Sequence, residues 1–119
     1  MSGIVADLLV DTDIFIDHLR GTTELRPGKH RLYYSVVTRA ELFAGTSATA
    51  QASLLLSPFR ELPVNQEVAE RAGRIRRETG IRLPDALIAA TALENSLSLA
   101  TRNRKGFEPV PGLRLKALR

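Results

Sequence analysis

Short apolar runs alternate along this chain with longer segments that carry helical periodicity. This alternation is typical of a parallel β-sheet covered by crossover helices. It predicts an α/β fold, a three-layer α/β/α sandwich with a mainly parallel sheet of about five strands. The predicted strands lie near residues 5–10, 32–37, 61–64, 97–101 and 113–115. The predicted helices lie near residues 12–20, 38–46, 48–57, 66–79 and 84–95.

The length and the cysteine content favour one compact domain. The 119 residues, 44% of them hydrophobic, suffice for a core without disulfides or a structural metal. The absence of cysteine excludes a disulfide scaffold, a zinc ribbon and a thiol nucleophile, and it fits a reducing cytosol. The apolar run Ile4–Val10 contains Asp7 and is far shorter than the roughly 18 residues of a membrane span. We expect a single domain over residues 1–119, a cytoplasmic location and no membrane partner.

The chain is basic, and most of its cations are arginine. Seventeen Lys and Arg residues against 13 Asp and Glu residues give a formal net charge of +4, and 14 of the 17 are arginine. The planar arginine fork binds two phosphate oxygens at once, so this composition is compatible with an RNA or DNA substrate. Charge alone does not establish one, because many basic proteins bind neither.

Polar side chains follow the predicted strands at their carboxyl ends. In open parallel sheets, ligands bind outside this edge, so these positions are candidates for a functional site. Separate segments thus bring carboxylates to one edge of the sheet. In chain order, the candidates are Asp11, Asp13, Glu41, Asp85, Thr101, Arg102 and Asn103.

Carboxylates gathered within a few ångströms repel one another, and a divalent cation relieves that repulsion. Oxygen ligands in a chain with no cysteine and only two histidines favour Mg²⁺ or Mn²⁺ over zinc. Such a site activates a water and stabilises the leaving oxygen of a phosphodiester. The chemistry that this pattern indicates is hydrolysis of a nucleic acid.

Each acid also has a purely structural interpretation. Asp11 and Asp13 can cap the first helix, since Asp is a strong N-cap residue. Thr38 and Glu41 match the S/T-x-x-E capping box, and Asp85 stands where a helix N-terminus favours negative charge. Helix N-termini fall at the same sheet edge as the site, so position alone leaves both interpretations open.

The flanking residues favour the functional interpretation, because four blocks in family order resemble the PIN domain, in particular the VapC-like ribonuclease toxins. The resemblance spans nearly the whole chain. The blocks are Leu9–Asp17 with Arg20 and Gly21, Ser35–Leu42 with Gly45, Leu83–Ala92, and Leu99–Asn103 followed by Phe107 and Pro111–Leu113.

The resemblance implies a PIN-like Mg²⁺- or Mn²⁺-dependent endoribonuclease whose metal-binding acids are Asp11, Glu41 and Asp85. The family often supplies a fourth acid in the closing block, where this chain has Asn103 and, three residues on, Gly106. A carboxamide carries no charge, so we expect one firm metal position, and a weak second one that includes Asn103.

The resemblance also implies partners. Thr101, Arg102 and Arg104, together with Lys105, stand beyond the acids, where they can hold phosphates of an RNA substrate. The protein partners implied are a VapB-like antitoxin, whose C-terminal segment covers the site, and a second copy of the chain in a homodimer.

Three other functions compete with this interpretation. The D-x-D pair Asp11 and Asp13 is similar to the opening motif of aspartate-nucleophile phosphatases, but no later strand ends in a paired-Asp motif. A response-regulator receiver would need an acceptor Asp after the third strand, and none lies between Asp17 and Asp85. A degenerate PIN module that binds RNA or an antitoxin without efficient cleavage stays open, and metal-dependent cleavage separates it from the enzyme.

Overall fold

A computed structural model describes residues 5–45 and 49–118. Parts of three sequence predictions therefore lie outside the described residues: the helix end at 46, the helix start at 48, and residues 1–4 and 119 of the single domain. The strands are β1 Asp7–Val10, β2 Arg31–Ser35, β3 Arg60–Leu62 and β4 Ser98–Ala100. The helices are α1 Thr12–Leu19, α2 Val36–Phe43, α3 Thr49–Leu56, α4 Gln66–Thr79, α5 Leu83–Glu94 and α6 Arg104–Phe107.

The strands form one fully parallel sheet in the order β3-β2-β1-β4. Leu9 pairs with Tyr33 on one side and with Leu99 on the other, so β1 lies inside the sheet. Because all strands run the same way, their carboxyl ends meet at a single edge. The parallel α/β prediction is confirmed.

The predicted strand count of about five is wrong for the described residues, where the sheet has four strands. The predicted fifth strand at 113–115 is reduced to an isolated parallel bridge between Leu99 and Leu115. It approaches the sheet through a segment with two prolines and a left-handed Gly112 at φ 78°, and it pairs with a β4 of only three residues. Proline cannot donate a ladder hydrogen bond, so this segment pairs with β4 only beyond its two prolines.

Alternating side chains on β1 supply two cores, one on each face of the sheet. Leu8 and Val10 pack with Phe15 of α1 and with residues of α2 and α3. Leu9 packs on the other face with the buried sides of α4 and α5. Successive side chains of a strand point to opposite faces, so a fully buried strand needs a helical layer on each side. The predicted three-layer α/β/α sandwich is confirmed.

The two long helices differ in how they bury their surfaces. Helix α4 spans the predicted residues 66–79, is amphipathic and buries Val68, Ala72 and Ile75 at helical spacing. Helix α5 is buried over most of its length by small side chains such as Ala86 and Ala89, which allow close packing against α4. Within residues 5–45 and 49–118, no helix is long and apolar enough to cross a membrane.

Ser35 sets the boundary between β2 and α2. Its hydroxyl accepts a hydrogen bond from the Val37 amide at 3.0 Å, so α2 begins at Val36, two residues earlier than predicted. The predicted strand 32–37 is therefore too long. The capping-box interpretation of Thr38 with Glu41 is also wrong, since Thr38 lies inside the first turn of α2. Helix α6 was not predicted; its N-cap is Asn103.

We expect Ser35→Ala to lower the free energy of unfolding by about 1 kcal/mol, the usual contribution of a helix cap. Urea denaturation measures the change. The matched control is Ser57→Ala, since the exposed Ser57 hydroxyl donates only to the Leu54 carbonyl at 2.9 Å and caps no helix start. Equal stability of Ser35→Ala and the control would contradict this account of the boundary.

Candidate active site

Four carboxylates cluster at the carboxyl edge of the sheet. Asp11 follows β1 directly, Asp13 lies in the first turn of α1, Glu41 lies on α2, and Asp85 lies in the first turn of α5. Asp13 and Asp85 act electrostatically on Asp11, and Asp13 and Glu41 act on Asp85. The structure thus brings together the three acids predicted from the sequence, with Asp13 as a fourth.

Asp11 is the most deeply buried acid of the cluster, with 5% of its surface exposed. Its Oδ1 accepts a hydrogen bond from the Thr12 amide at 2.8 Å, and its Oδ2 accepts one from the Thr101 hydroxyl at 2.7 Å. Burial, and then the charge of Asp13, raises the pKa of Asp11 from 3.8 to about 7, against the opposing effect of the two hydrogen bonds. Asp11 therefore caps α1, as the structural interpretation predicted, and also carries a strongly perturbed carboxyl group.

Asp85 is half-buried, and its pKa is also raised. Burial is the largest cause; the positive charge of Arg82 opposes it, and the charges of Glu41 and Asp13 add to it. The cluster therefore holds more negative charge than Arg82 compensates. A cation of higher charge would relieve this excess.

Asp13 was a candidate at the sheet edge but was not assigned to the metal-binding acids, because its position in the first turn of a helix has an ordinary electrostatic explanation. Its Oδ2 accepts a hydrogen bond from the Arg102 amide at 3.1 Å and lies 3.3 Å from the Thr101 hydroxyl. These contacts join the start of α1 to the segment after β4. The available sequence signal was the spacing of two residues from Asp11, which places both acids at the same helix end.

Glu41 is held by a hydroxyl group from another helix. Its Oε1 accepts a hydrogen bond from the Thr12 hydroxyl at 2.7 Å. The Thr12 oxygen also lies 2.8 Å from the hydroxyl of Thr38. Both threonines are buried, so α1 and α2 meet through a buried polar contact that extends to Glu41.

The closing segment differs in detail from the sequence prediction. Thr101 contacts the acids themselves, and its hydroxyl also accepts a hydrogen bond from the Asn103 amide at 3.0 Å. The Oδ1 of Asn103 accepts one from the Gly106 amide at 3.2 Å, so this side chain caps α6. Arg102 pairs with the buried Asp17 at 2.7 Å, and Arg104 is exposed at the start of α6.

A cavity of about 250 Å³ lies beside Thr101, on the β4 side of the cluster. Its lining combines apolar side chains such as Ile14 and Leu118 with Lys116 and with the ion pair of Arg102 and Asp17. The acid cluster is therefore flanked by a recess that joins apolar surface to charged side chains of both signs.

The donor chemistry of the cluster fits a hard divalent cation. Its donors are carboxylate oxygens, with hydroxyl groups in support, which is the ligand set that Mg²⁺ and Mn²⁺ prefer. In the described part of the chain, no three acidic or histidine side chains converge closely enough, as placed, to surround an ion. Asp11, Asp13, Glu41 and Asp85 are the residues that would supply oxygen ligands to a cation at this edge of the sheet.

Comparison with known proteins places these residues in a family. The family model of the PIN domain matches residues 8–113. Ribonuclease VapC10 of Mycobacterium tuberculosis is 41% identical over 109 residues, which cover 81% of this chain and 82% of that protein. Ribonuclease VapC19 of the same organism is 34% identical, with coverage of 88% and 95%. In a solved toxin-antitoxin complex from Klebsiella pneumoniae, one chain is 33% identical with a TM-score of 0.71, covering 89% of this chain and 94% of that chain.

The raised pKa of Asp11 predicts a pH-dependent loss of stability in chelator-treated protein. A carboxyl group whose folded pKa exceeds its unfolded value of 3.8 costs nothing below that pH, and its cost grows as the pH rises through about 7. We expect Asp11→Asn to match wild type near pH 4 and to be more stable than wild type at pH 8. Each unit of pKa shift corresponds to about 1.4 kcal/mol.

Denaturant unfolding at several pH values in the presence of a chelator measures this difference. Glu108→Gln, at an exposed position, is the control and should follow wild type throughout. A constant difference between Asp11→Asn and wild type from pH 4 to pH 8 would show that Asp11 is not desolvated as described.

Proposed function

This chain belongs to the PIN domain family, and we propose that it is a metal-dependent endoribonuclease, the toxin of a VapBC-like toxin-antitoxin pair. The observation that carries the proposal is the buried Asp11 carboxylate with Asp13, Glu41 and Asp85 around it at the carboxyl edge of the sheet. Relatives named as ribonucleases support RNA as the substrate. Membership in the PIN domain family argues against the phosphatase and receiver alternatives.

In this proposal, Asp11, Glu41 and Asp85 hold Mg²⁺ or Mn²⁺, and Asp13 adds a fourth carboxylate. When bound, the cation supplies the charge that activates a water and stabilises the leaving oxygen of the phosphodiester. The chain's own residues orient the ligands: Thr101 holds Asp11, and Thr12 holds Glu41. Asn103 enters the set only if its side chain leaves the α6 cap.

In this proposal, arginine side chains around the acid cluster bind the RNA backbone. Arg82 lies within electrostatic range of Asp85, and Arg104 is exposed on α6. Arg102 is tied to Asp17, which holds its guanidinium at the cavity beside Thr101 rather than over the acids. Phosphate contacts of this kind set the position of the strand next to the reacting carboxylates.

The protein partners in the proposal are a VapB-like antitoxin and a second copy of the chain. A relative of known structure is part of a toxin-antitoxin complex. Here an apolar recess of about 300 Å³, formed by residues such as Val37, Leu83 and Leu87, extends up to Glu41. A segment of antitoxin bound in this recess would cover the acid cluster.

The second candidate function is a PIN module that binds RNA or an antitoxin without efficient cleavage. The observation in its favour is Asn103, which stands where the family often has an acid and which is engaged in capping α6. Metal-dependent cleavage by the purified protein separates the two functions.

We expect Asp11→Asn, Glu41→Gln and Asp85→Asn each to lower the rate of RNA cleavage about 100-fold or more, because each change removes ligand charge and keeps the side-chain shape. The rates are measured on a structured RNA with Mg²⁺ or Mn²⁺ at fixed salt. The matched control is Asp7→Asn: Asp7 lies at the opposite end of the same strand and pairs with the exposed Arg31, so its loss should change the rate less than about 2-fold.

A chelator should stop RNA cleavage. Ca²⁺ should support little cleavage, since its looser coordination geometry positions the attacking water poorly. If two of the three carboxylate variants cleave at the wild-type rate, the site is wrongly assigned. Cleavage that survives the chelator would exclude the metal-dependent mechanism.

Asn103→Asp tests the weak second metal position. Asp and Asn cap helices about equally well, so one oxygen of Asp should keep the α6 cap while its second oxygen, which Asn lacks, is free for the cation. We expect a lower metal concentration for half-maximal cleavage and no loss of thermal stability. An unchanged metal titration would show that residue 103 does not reach the cation and acts only through the α6 cap.

A further inference from the structure

Thr38 is a buried polar residue whose hydroxyl contacts the hydroxyl of another threonine. The side chain is fully buried on α2, and its Oγ1 lies 2.8 Å from the Oγ1 of Thr12 on α1. Two hydroxyl groups in contact leave open which one donates. The hydrogen bond from Thr12 to Glu41 settles the direction.

A threonine hydroxyl carries one hydrogen and can donate once. The Thr12 hydrogen goes to Oε1 of Glu41 at 2.7 Å, because an ionised carboxylate can only accept. Thr12 therefore accepts from Thr38. The result is a directed relay in which Thr38 donates to Thr12 and Thr12 donates to Glu41.

Two other threonines of this chain show what a helical threonine does without such a partner. The hydroxyls of Thr79 and Thr91 each donate to the carbonyl four residues earlier in their own helix, at 2.7 Å. Four residues before Thr38 is Tyr34, which belongs to β2, so Thr38 has no helical carbonyl at that place. The early start of α2 at Val36 frees the hydroxyl of Thr38 for the relay.

We propose that Thr38 is a positioning residue for Glu41, acting through Thr12 to hold one carboxylate oxygen so that the other is presented to the metal ion. This inference rests on the proposed function, in which Glu41 is a ligand. Thr38 and Glu41 lie three residues apart on the same helix face, and Thr12 joins them from α1. Hydrogen bonds to a charged acceptor strengthen along such a chain, and outer residues of this kind fix the orientation of metal ligands.

The experiment compares Thr38→Val, which keeps the shape and removes the hydroxyl, with Thr38→Ser, which keeps the hydroxyl. Calorimetric titration with Mn²⁺ measures affinity, and thermal unfolding measures stability. We expect Thr38→Val to weaken Mn²⁺ binding about 10-fold, the lower end of the usual effect of losing a residue that holds a metal ligand, because Thr38 acts on Glu41 through Thr12. Thr38→Ser should stay within about 3-fold of wild type. RNA cleavage should follow the same order.

Thr91→Val is the matched control. Thr91 is also fully buried in a helix, and its hydroxyl donates to the Leu87 carbonyl of that helix, so its loss should lower stability and leave Mn²⁺ affinity unchanged. Equal weakening of Mn²⁺ binding by Thr91→Val and Thr38→Val would overturn the proposal, because the effect would then be one of general packing.

A double-mutant cycle tests whether Thr38 acts through Glu41. In a Glu41→Gln background, adding Thr38→Val should weaken Mn²⁺ binding little further, whereas independent effects would add. Additive effects would overturn the proposed route. If Thr38→Val does not fold, Thr38→Ala and Thr12→Ser are compared by the same titration. Mn²⁺ binding should weaken in Thr38→Ala, which loses its hydroxyl, and stay near wild type in Thr12→Ser, which keeps one; equal binding in both would overturn the relay.

The outcomes separate this inference from the proposed function. Weakened binding in Glu41→Gln together with wild-type binding in Thr38→Val would overturn the relay alone. If the wild-type protein does not bind Mn²⁺, the metal-dependent function and the relay both fail.

Discussion

A carboxylate buried at the end of an interior strand is the constraint on which this structure depends. Asp11 follows β1, which has a neighbouring strand on each side, and both oxygens of Asp11 accept hydrogen bonds from the chain. One donor is adjacent in sequence, and the other, Thr101, is 90 residues away. Burial and neighbouring charge oppose ionisation, so the fold holds this group in an unfavourable place with two short hydrogen bonds. Such placement is typical of a functional group and costs stability in the absence of a compensating cation.

The acids are held by hydroxyl groups and backbone amides more than by the charged groups of Arg and Lys. Thr101 contacts Asp11, Thr12 contacts Glu41, and the amide of Arg102 contacts Asp13. Neutral donors fix orientation without cancelling the charge, which leaves the negative cluster available to a metal ion. Arg102 illustrates the same separation, because its backbone serves the site while its guanidinium pairs with Asp17 outside the acid cluster.

The sequence was sufficient for the class of fold and for the edge at which the acids meet, because both follow from hydrophobic period and strand direction. It was insufficient where two similar residues competed for one role. Ser35 and Thr38 are both good caps, and only the packed structure shows that Ser35 starts α2. Asn103 caps a helix of only four residues, which is too short to show a helical period, and the hydrogen bonds of Asp13 join segments that are distant in sequence. The short pairing of the final segment likewise depends on where β4 ends.

The structural and functional interpretations of these acids turn out to be compatible, and the reason is geometric. A parallel sheet places the N-termini of the following helices at its carboxyl edge, so the residues that favour a helix start are also those nearest a ligand at that edge. Asp11 uses Oδ1 to cap α1 and shares Oδ2 with Thr101. Asp85 gains from the positive end of α5, while burial and then the charges of Glu41 and Asp13 raise its pKa. Helix capping thus offsets part of the cost of assembling like charges. A chain of this architecture can therefore keep a carboxylate cluster in place before any cation binds.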